Sequence, residues 1–218
     1  MIVQAKTAPG VPGRVDHVVY ATPDLKTAID DFHERTGVRA TPGGPHPGSG
    51  TRNALVALGP ASYLEIIGPD PEQPRPEKPR PFGIDELRAP RIATWAAESA
   101  DLQSLAADAA RKGIRLGDVV SGNRRRPDGV LLRWSYTDPG TVVADGVVPF
   151  FIDWGQTEHP SIVAASGVTL VSLRAEHPEA ARVQEILRDL GLDLNVASGP
   201  EPGLYAALDT PKGRVELL

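Results

Sequence analysis

The chain has 218 residues, 40% of them hydrophobic and 23% charged, and a formal net charge of −5. That composition is globular and long enough to bury a sizeable core, and it offers no basic excess for non-specific nucleic-acid binding. With no cysteine, disulfides, thiol catalysis, cysteine zinc sites and iron–sulfur clusters are excluded.

Met1 to Gly13 has no apolar run long enough for a signal-peptide core. No stretch reaches the roughly 18 apolar residues of a membrane-spanning helix. The chain is therefore expected to be soluble and cytoplasmic. Glycine and proline number 22 each, which fits many turns between short strands.

The first strand-like run is Arg14 to Ala21. A helix is predicted over Asp24 to Arg35, where Leu25, Ala28, Ile29 and Phe32 fall at i, i+3, i+4 and i+7. Thr22 is its expected N-cap, with Pro23 at the first helical position and Gly37 as the stop. Strands follow at Arg52 to Gly59 and Ser62 to Gly68. Pro69 to Pro90 holds seven prolines in 22 residues and reads as an extended linker. Its Pro76-Glu77-Lys78-Pro79 also fits the PxxP pattern recognised by other domains.

A second round begins at Arg91 to Ser99. A helix is predicted over Asp101 to Lys112, striped by Leu102, Leu105, Ala106 and Ala109. Strands follow at Gly129 to Thr137 and Val147 to Trp154. A third round has a strand at Val168 to Ala175, a helix over Glu179 to Leu190, and strands at Leu204 to Asp209 and Arg214 to Leu218. Arg14 falls on Arg91, His17 on Thr94 and Leu25 on Leu102 at one common offset, so the rounds are repeats. The expected fold class is α+β. Paired βαβββ modules, 14–68 and 91–155, form a half-open barrel, joined by the linker 69–90. A third, shorter βαββ unit, 168–218, packs on the same domain.

Several strings sharpen this pattern. Module one carries Val15-Asp16-His17-Val18-Val19-Tyr20, Gly43-Gly44-Pro45-His46-Pro47 leading to Gly50-Thr51-Arg52-Asn53-Ala54, and Tyr63-Leu64-Glu65-Ile66-Ile67. Module two carries Arg126-Pro127-Asp128-Gly129, Leu132-Arg133-Trp134 and Pro149-Phe150-Phe151-Ile152-Asp153-Trp154. Together they resemble the glyoxalase-like domains of the vicinal-oxygen-chelate superfamily. The resemblance implies a ligand cavity between the modules, with metal ligands on the first and last strand of each.

On this chain those positions carry His17 and Glu65, a set suited to Fe, Mn, Ni or Zn. Module two departs from the pattern: Thr94 replaces a His or Gln, and Ile152 stands opposite Glu65. A third ligand would have to come from His46 or Asp153.

Each candidate has a plainer reading beside the functional one. His17 is a ligand, a general base or a substrate partner, or else a core-edge histidine satisfied by a neighbour. Glu65 sits in an apolar strand and needs a partner, because an unpaired buried carboxylate is costly. His46 lies in a Gly/Pro loop, and Asn53 alternates inward with Leu55 and Ala57; both are candidate substrate contacts. Arg133 interrupts an apolar strand and can grip a carboxylate or phosphate, or pair with Asp153 or Glu65. Asp153 and Trp154 complete the substrate-binding set. Arg124, Arg125 and Arg126 read as a solvated turn, His159 as a connector residue, and His33 and His177 as peripheral.

The function expected is a small-molecule enzyme of glyoxalase-like type, a lyase, isomerase or oxygenase acting on an oxygen-rich metabolite, with His17 and Glu65 catalytic. The alternative is a non-catalytic binder that sequesters its ligand. Neither reading involves nucleic acid or membrane, and a homodimer is the default assembly.

Overall fold

The computed structural model describes residues 13–218; most of the stretch Met1 to Gly13 considered above lies outside them. Two sheets account for the strands. Eight strands form one sheet in the order β2-β3-β4-β1-β5-β8-β7-β6, and four form a second in the order β10-β9-β11-β12.

The first module is β1 (Val15–Ala21), α1 (Leu25–Thr36), β2 (Thr41–His46), β3 (Thr51–Gly59) and β4 (Ser62–Pro69). The second is β5 (Arg91–Glu98), α2 (Leu102–Arg111), β6 (Val119–Arg125), β7 (Leu131–Thr137) and β8 (Phe150–Asp153). In each, the first strand pairs in parallel with the fourth, and β1 pairs antiparallel with β5 to join the halves. The paired βαβββ plan is therefore present.

The sheet bends until its two free edges, β2 and β6, meet. Arg124 on β6 closes that seam by donating from Nη1 to the Gly43 carbonyl on β2. Only glycine allows this approach: a Cβ on Gly43 would lie 2.1 Å from Asn53 Oδ1 and 3.1 Å from Arg124 Nη1.

β2 corrects the reading of 43–50 as a loop for its first half, 43–46, while 47–50 form a turn. Prolines 42 and 45 are tolerated because β2 is an edge strand. The first helix is capped by Asp24, not Thr22: the Asp24 carboxylate accepts from Thr27 N at 3.0 Å. Gly37, with φ of 80°, ends that helix, and Asp101 caps α2 in the same way through Ser104 N.

The third unit runs β9 (Thr169–His177), α3 (Ala180–Asp189), β10 (Asn195–Ser198), β11 (Gly203–Thr210) and β12 (Gly213–Leu217). It holds one strand more than the sequence suggested, the four-residue β10. Its strand order differs from that of the modules, because β9 lies between β10 and β11. It therefore does not curl into a third half-shell.

One apolar cluster joins the outer face of the eight-stranded sheet, its helices and the third unit, through Val18, Phe32, Trp95, Leu173 and Leu187. A separate, smaller cluster with Val19, Ile67, Phe150 and Ile152 lines the inner face. The three helices and the third unit thus sit outside, while the short 3-10 turn Pro81–Glu86 of the linker packs on the concave face through Ile84 and leaves a hollow beside it.

Candidate functional site

A hollow of about 520 Å³ opens between the modules. Period-2 alternation brings His17 from β1 and Tyr63, Glu65 and Ile67 from β4 to its wall. β8 adds Phe150 and Ile152, and β7 adds Trp134 and Tyr136. The Pro-rich segment between the modules also borders it, through Pro76, Pro79, Pro81 and Phe82 among others.

His17 is held from behind by a neighbour that strict alternation would have placed on the opposite face. β1 carries an extra residue between Val15 and His17 relative to β5, and such bulges re-aim side chains. Asp16 Oδ1 then lies 2.6 Å from His17 Nδ1. Asp16 Oδ2 accepts from Trp154 Nε1 at 3.0 Å and lies 3.3 Å from His159 Nε2.

Burial alone would push the Asp16 carboxyl up. Hydrogen bonds from His159 and His17 outweigh it and bring the carboxyl down to about 2. With Nδ1–H given to Asp16, the neutral imidazole of His17 keeps its lone pair on Nε2. That atom faces Glu65 Oε2 at 3.9 Å.

Glu65 is fixed in turn. Its Oε1 accepts from Asn53 Nδ2 at 2.6 Å and lies 3.8 Å from His46 Nε2. His46 Nδ1 meets Thr51 Oγ1 at 3.1 Å. Burial lowers the His46 imidazole below its ordinary range, against the pull of Glu65, so it is held neutral. Tyr63 stacks on His17 with ring centroids 4.6 Å apart. Burial, reinforced by Asp16 and Glu65, raises its hydroxyl well above the usual phenol range.

Five of the residues singled out from sequence come together around this hollow: His17, His46, Asn53, Glu65 and Trp154. Arg133 and Asp153 do not. They border a shallower depression with Gly155 and Thr157; Arg133 is exposed, and Asp153 Oδ1 accepts from Gly155 N.

Three residues escaped the sequence reading. Asp16 was hidden by alternation, and His159 by its 142-position distance from His17 in the chain. Arg124, read as part of a solvated turn, is 2% exposed and borders the hollow. The one sequence signal for Arg124 was its phase in β6, which could not be read while β6 itself was unassigned.

The residues present do not reproduce the four-ligand metal site that the fold implies. His17 and Glu65 face each other, but Ile152 offers no donor, and the Thr94 hydroxyl donates to Gly146 O at 2.9 Å. Asp153 is turned elsewhere. Among the described residues, no group of three or more His, Asp or Glu is arranged to hold a metal ion.

Comparison with known proteins agrees with the geometry. A family model described as a glyoxalase-like domain matches residues 15–191. A hypothetical protein from Staphylococcus aureus shares the fold, with a TM-score of 0.63 at 12% identity over 93% of this chain and 84% of that one. Methylmalonyl-CoA epimerase from Mycobacterium tuberculosis superposes with a TM-score of 0.43 at 23% identity over 68% and 93%. The Streptomyces coelicolor epimerase bound to 2-nitronate-propionyl-CoA does so with 0.45 at 22% over 67% and 98%. No curated protein matches the chain. With its two facing half-shells and the match across both of them, the chain belongs to the glyoxalase-like domain family.

Proposed function

We propose that the chain is an enzyme that moves a proton on a small, oxygen-bearing metabolite held in the hollow, by isomerase or lyase chemistry. The observation that carries this reading is the line Asp16–His17–Glu65. A buried carboxylate 2.6 Å from Nδ1 orients the imidazole and stabilises its protonated form, as a carboxylate does for a general base. The free Nε2 and Glu65 Oε2 stand 3.9 Å apart, so an acidic carbon beside a carbonyl can reach both. Neutral His17 takes the carbon proton on Nε2, or the Glu65 carboxylate takes it on Oε2, and the same proton returns to the enolate from the group that took it or from the other after passing between them. Asn53 holds Glu65 in place, His46 completes the polar wall, and Trp154 ties the Asp16 carboxylate to module two. Because the metal ligand set is incomplete, the step is assigned to these side chains alone. We place the enzyme in the cytoplasm, on the cysteine-free composition, and take a homodimer as its assembly. No helix among the described residues is long and apolar enough to cross a membrane.

The test is proton NMR in D2O with a panel of 2-oxo acids, α-hydroxyketones and 1,3-dicarbonyls. Exchange of a carbon-bound proton is expected for at least one. It should fall by about 10²–10⁴ in both His17→Ala and Glu65→Gln. Exchange that survives both changes sinks the assignment.

A second reading rests on the apolar side of the hollow, where Phe82, Phe150, Trp134 and Trp154 converge. Such a wall suits capture by shape. Tight binding of a panel compound with no exchange would favour sequestration.

A further inference from the structure

Arg124 is the one arginine bordering the hollow, and its surroundings are unusual. The side chain is 2% exposed. Yet no carboxylate among the described residues lies within the 4.0 Å that would make an ion pair with it, and its one hydrogen bond is the seam contact from Nη1 to Gly43 O. Its other N–H groups make no hydrogen bond to the described residues. They are not sealed in the protein either, because none of its nitrogens is among the fully enclosed atoms that lack a partner. They therefore open on the hollow that Arg124 helps to line.

A buried guanidinium with no carboxylate in ion-pair contact is costly, and the Glu65 carboxylate acts on it only from beyond that distance. Closing the seam needs only one neutral donor and does not call for a charge. A planar fork of free N–H groups at a cavity wall is the geometry that receives a carboxylate bidentately.

We infer that Arg124 binds the anionic group of the substrate, and that the substrate is a small monocarboxylate whose reactive carbon then lies between His17 and Glu65. This deepens the proton-transfer reading and rests on it for the placement of the reactive carbon, but not for the anion site. One cation beside the Glu65 carboxylate suits a single negative charge better than the dianion of a phosphate ester. The exposed Lys78 at the rim does not supply a second buried charge. Aromatic side chains on the adjoining strands β7 and β8 give the remainder of the molecule an apolar seat.

Binding can be followed through tryptophan fluorescence, since Trp134 and Trp154 both border the hollow. The probes are benzoylformate, its neutral amide benzoylformamide, and phenyl phosphate. Wild-type protein should bind benzoylformate at least tenfold more tightly than the amide, and more tightly than phenyl phosphate. In Arg124→Met the preference over the amide should vanish while the amide's own affinity stays within threefold. In Arg124→Lys, which keeps the charge but not the fork, part of the preference should remain. If Arg124→Met fails to fold because the seam opens, the Lys variant and the loss of the wild-type preference in high salt decide the matter.

Equal affinity for carboxylate and amide in wild type, a preference that survives Arg124→Met, tighter binding of phenyl phosphate, or no saturable carboxylate binding would each overturn the inference. Carboxylate preference without proton exchange retires the catalytic reading alone. Exchange without that preference retires the Arg124 assignment alone.

Discussion

Replacing Asp16 by Asn removes the charge behind His17 while keeping the shape. The folded carboxyl titrates at about 2 instead of 3.8. At about 1.4 kcal/mol for each tenfold change, that difference amounts to roughly 2.5 kcal/mol of stability. Because the folded value is the lower one, this stability is fully present above pH 4 and is lost as the pH falls toward 2. Asp16→Asn should therefore be about 2.5 kcal/mol less stable than wild type at pH 7, less whatever one amide oxygen recovers as an acceptor. The gap should close between pH 4 and pH 2. The chemistry should suffer more. An amide NH2 facing His17 Nδ1 favours the tautomer with its proton on Nε2, which cannot accept one. The same exchange in a serine-protease triad costs about 10⁴ in rate, so a loss of 10²–10⁴ in proton exchange is expected here, with ligand affinity little changed. Urea unfolding at pH 7, 5, 4 and 3, alongside the D2O assay, measures both. A stability gap that is absent at pH 7 or unchanged at pH 3, or exchange within threefold of wild type, would refute the assigned role of Asp16.

Gly43→Ala should cost about 1–3 kcal/mol by overpacking, since its Cβ would strike Asn53 Oδ1 and crowd Arg124; urea melts read the loss, and wild-type stability would mean the seam is looser than described. Trp95→Phe should cost about 1–3 kcal/mol, because the fully buried indole donates to Val147 O at 2.9 Å and its loss leaves that carbonyl unpaired; thermal unfolding measures it. Trp134→Ala should weaken benzoylformate binding about tenfold or more, removing a ring that packs 5.3 Å from Trp154, without altering the pH profile of exchange; a shifted profile would place Trp134 in the proton path. Treatment with a chelator should leave exchange unchanged, and a stoichiometric metal found by elemental analysis, with exchange lost on its removal, would overturn the metal-free assignment.

The duplicated plan was legible because it rests on long, regular signals. Leu25, Ala28 and Phe32, and later Leu102 and Ala109, are the apolar residues their helices bury. What escaped were features that break a period. β2 is a run of Thr, Pro and Gly that becomes a strand only because an existing sheet offers it an edge. β10 is four residues long, with one buried side chain. β6 alternates in burial from Val120 to Arg125, but its inward positions after Val120 are Gly122 and Arg124, so no apolar period marks it in the sequence. His17 and Glu65 could be placed on one wall from phase alone, whereas the Asp16 contact depends on a bulge, and a bulge follows from pairing with β5 and not from the residues of β1.

The two modules have parted in chemistry while keeping one shape. The first contributes the groups that can exchange protons: His17, Glu65 and His46, with Asn53 and Asp16 holding them. The second carries Thr94 and Ile152 at the matching positions and contributes instead Arg124 and the rings of Trp134, Tyr136 and Phe150. Neither half is complete by itself. Trp154 of module two donates to Asp16 of module one, and Arg124 of module two donates to Gly43 of module one. These two contacts cross between the halves from different strands, one behind His17 and one at the seam between β2 and β6. A change at either is therefore felt on both sides: loosening Gly43 moves the cation, and removing the Trp154 indole frees the carboxylate that orients His17. The groups proposed to handle protons and the one proposed to grip substrate thus belong to different half-shells, which the β1–β5 pairing holds in register and these two side-chain contacts tie together at the hollow.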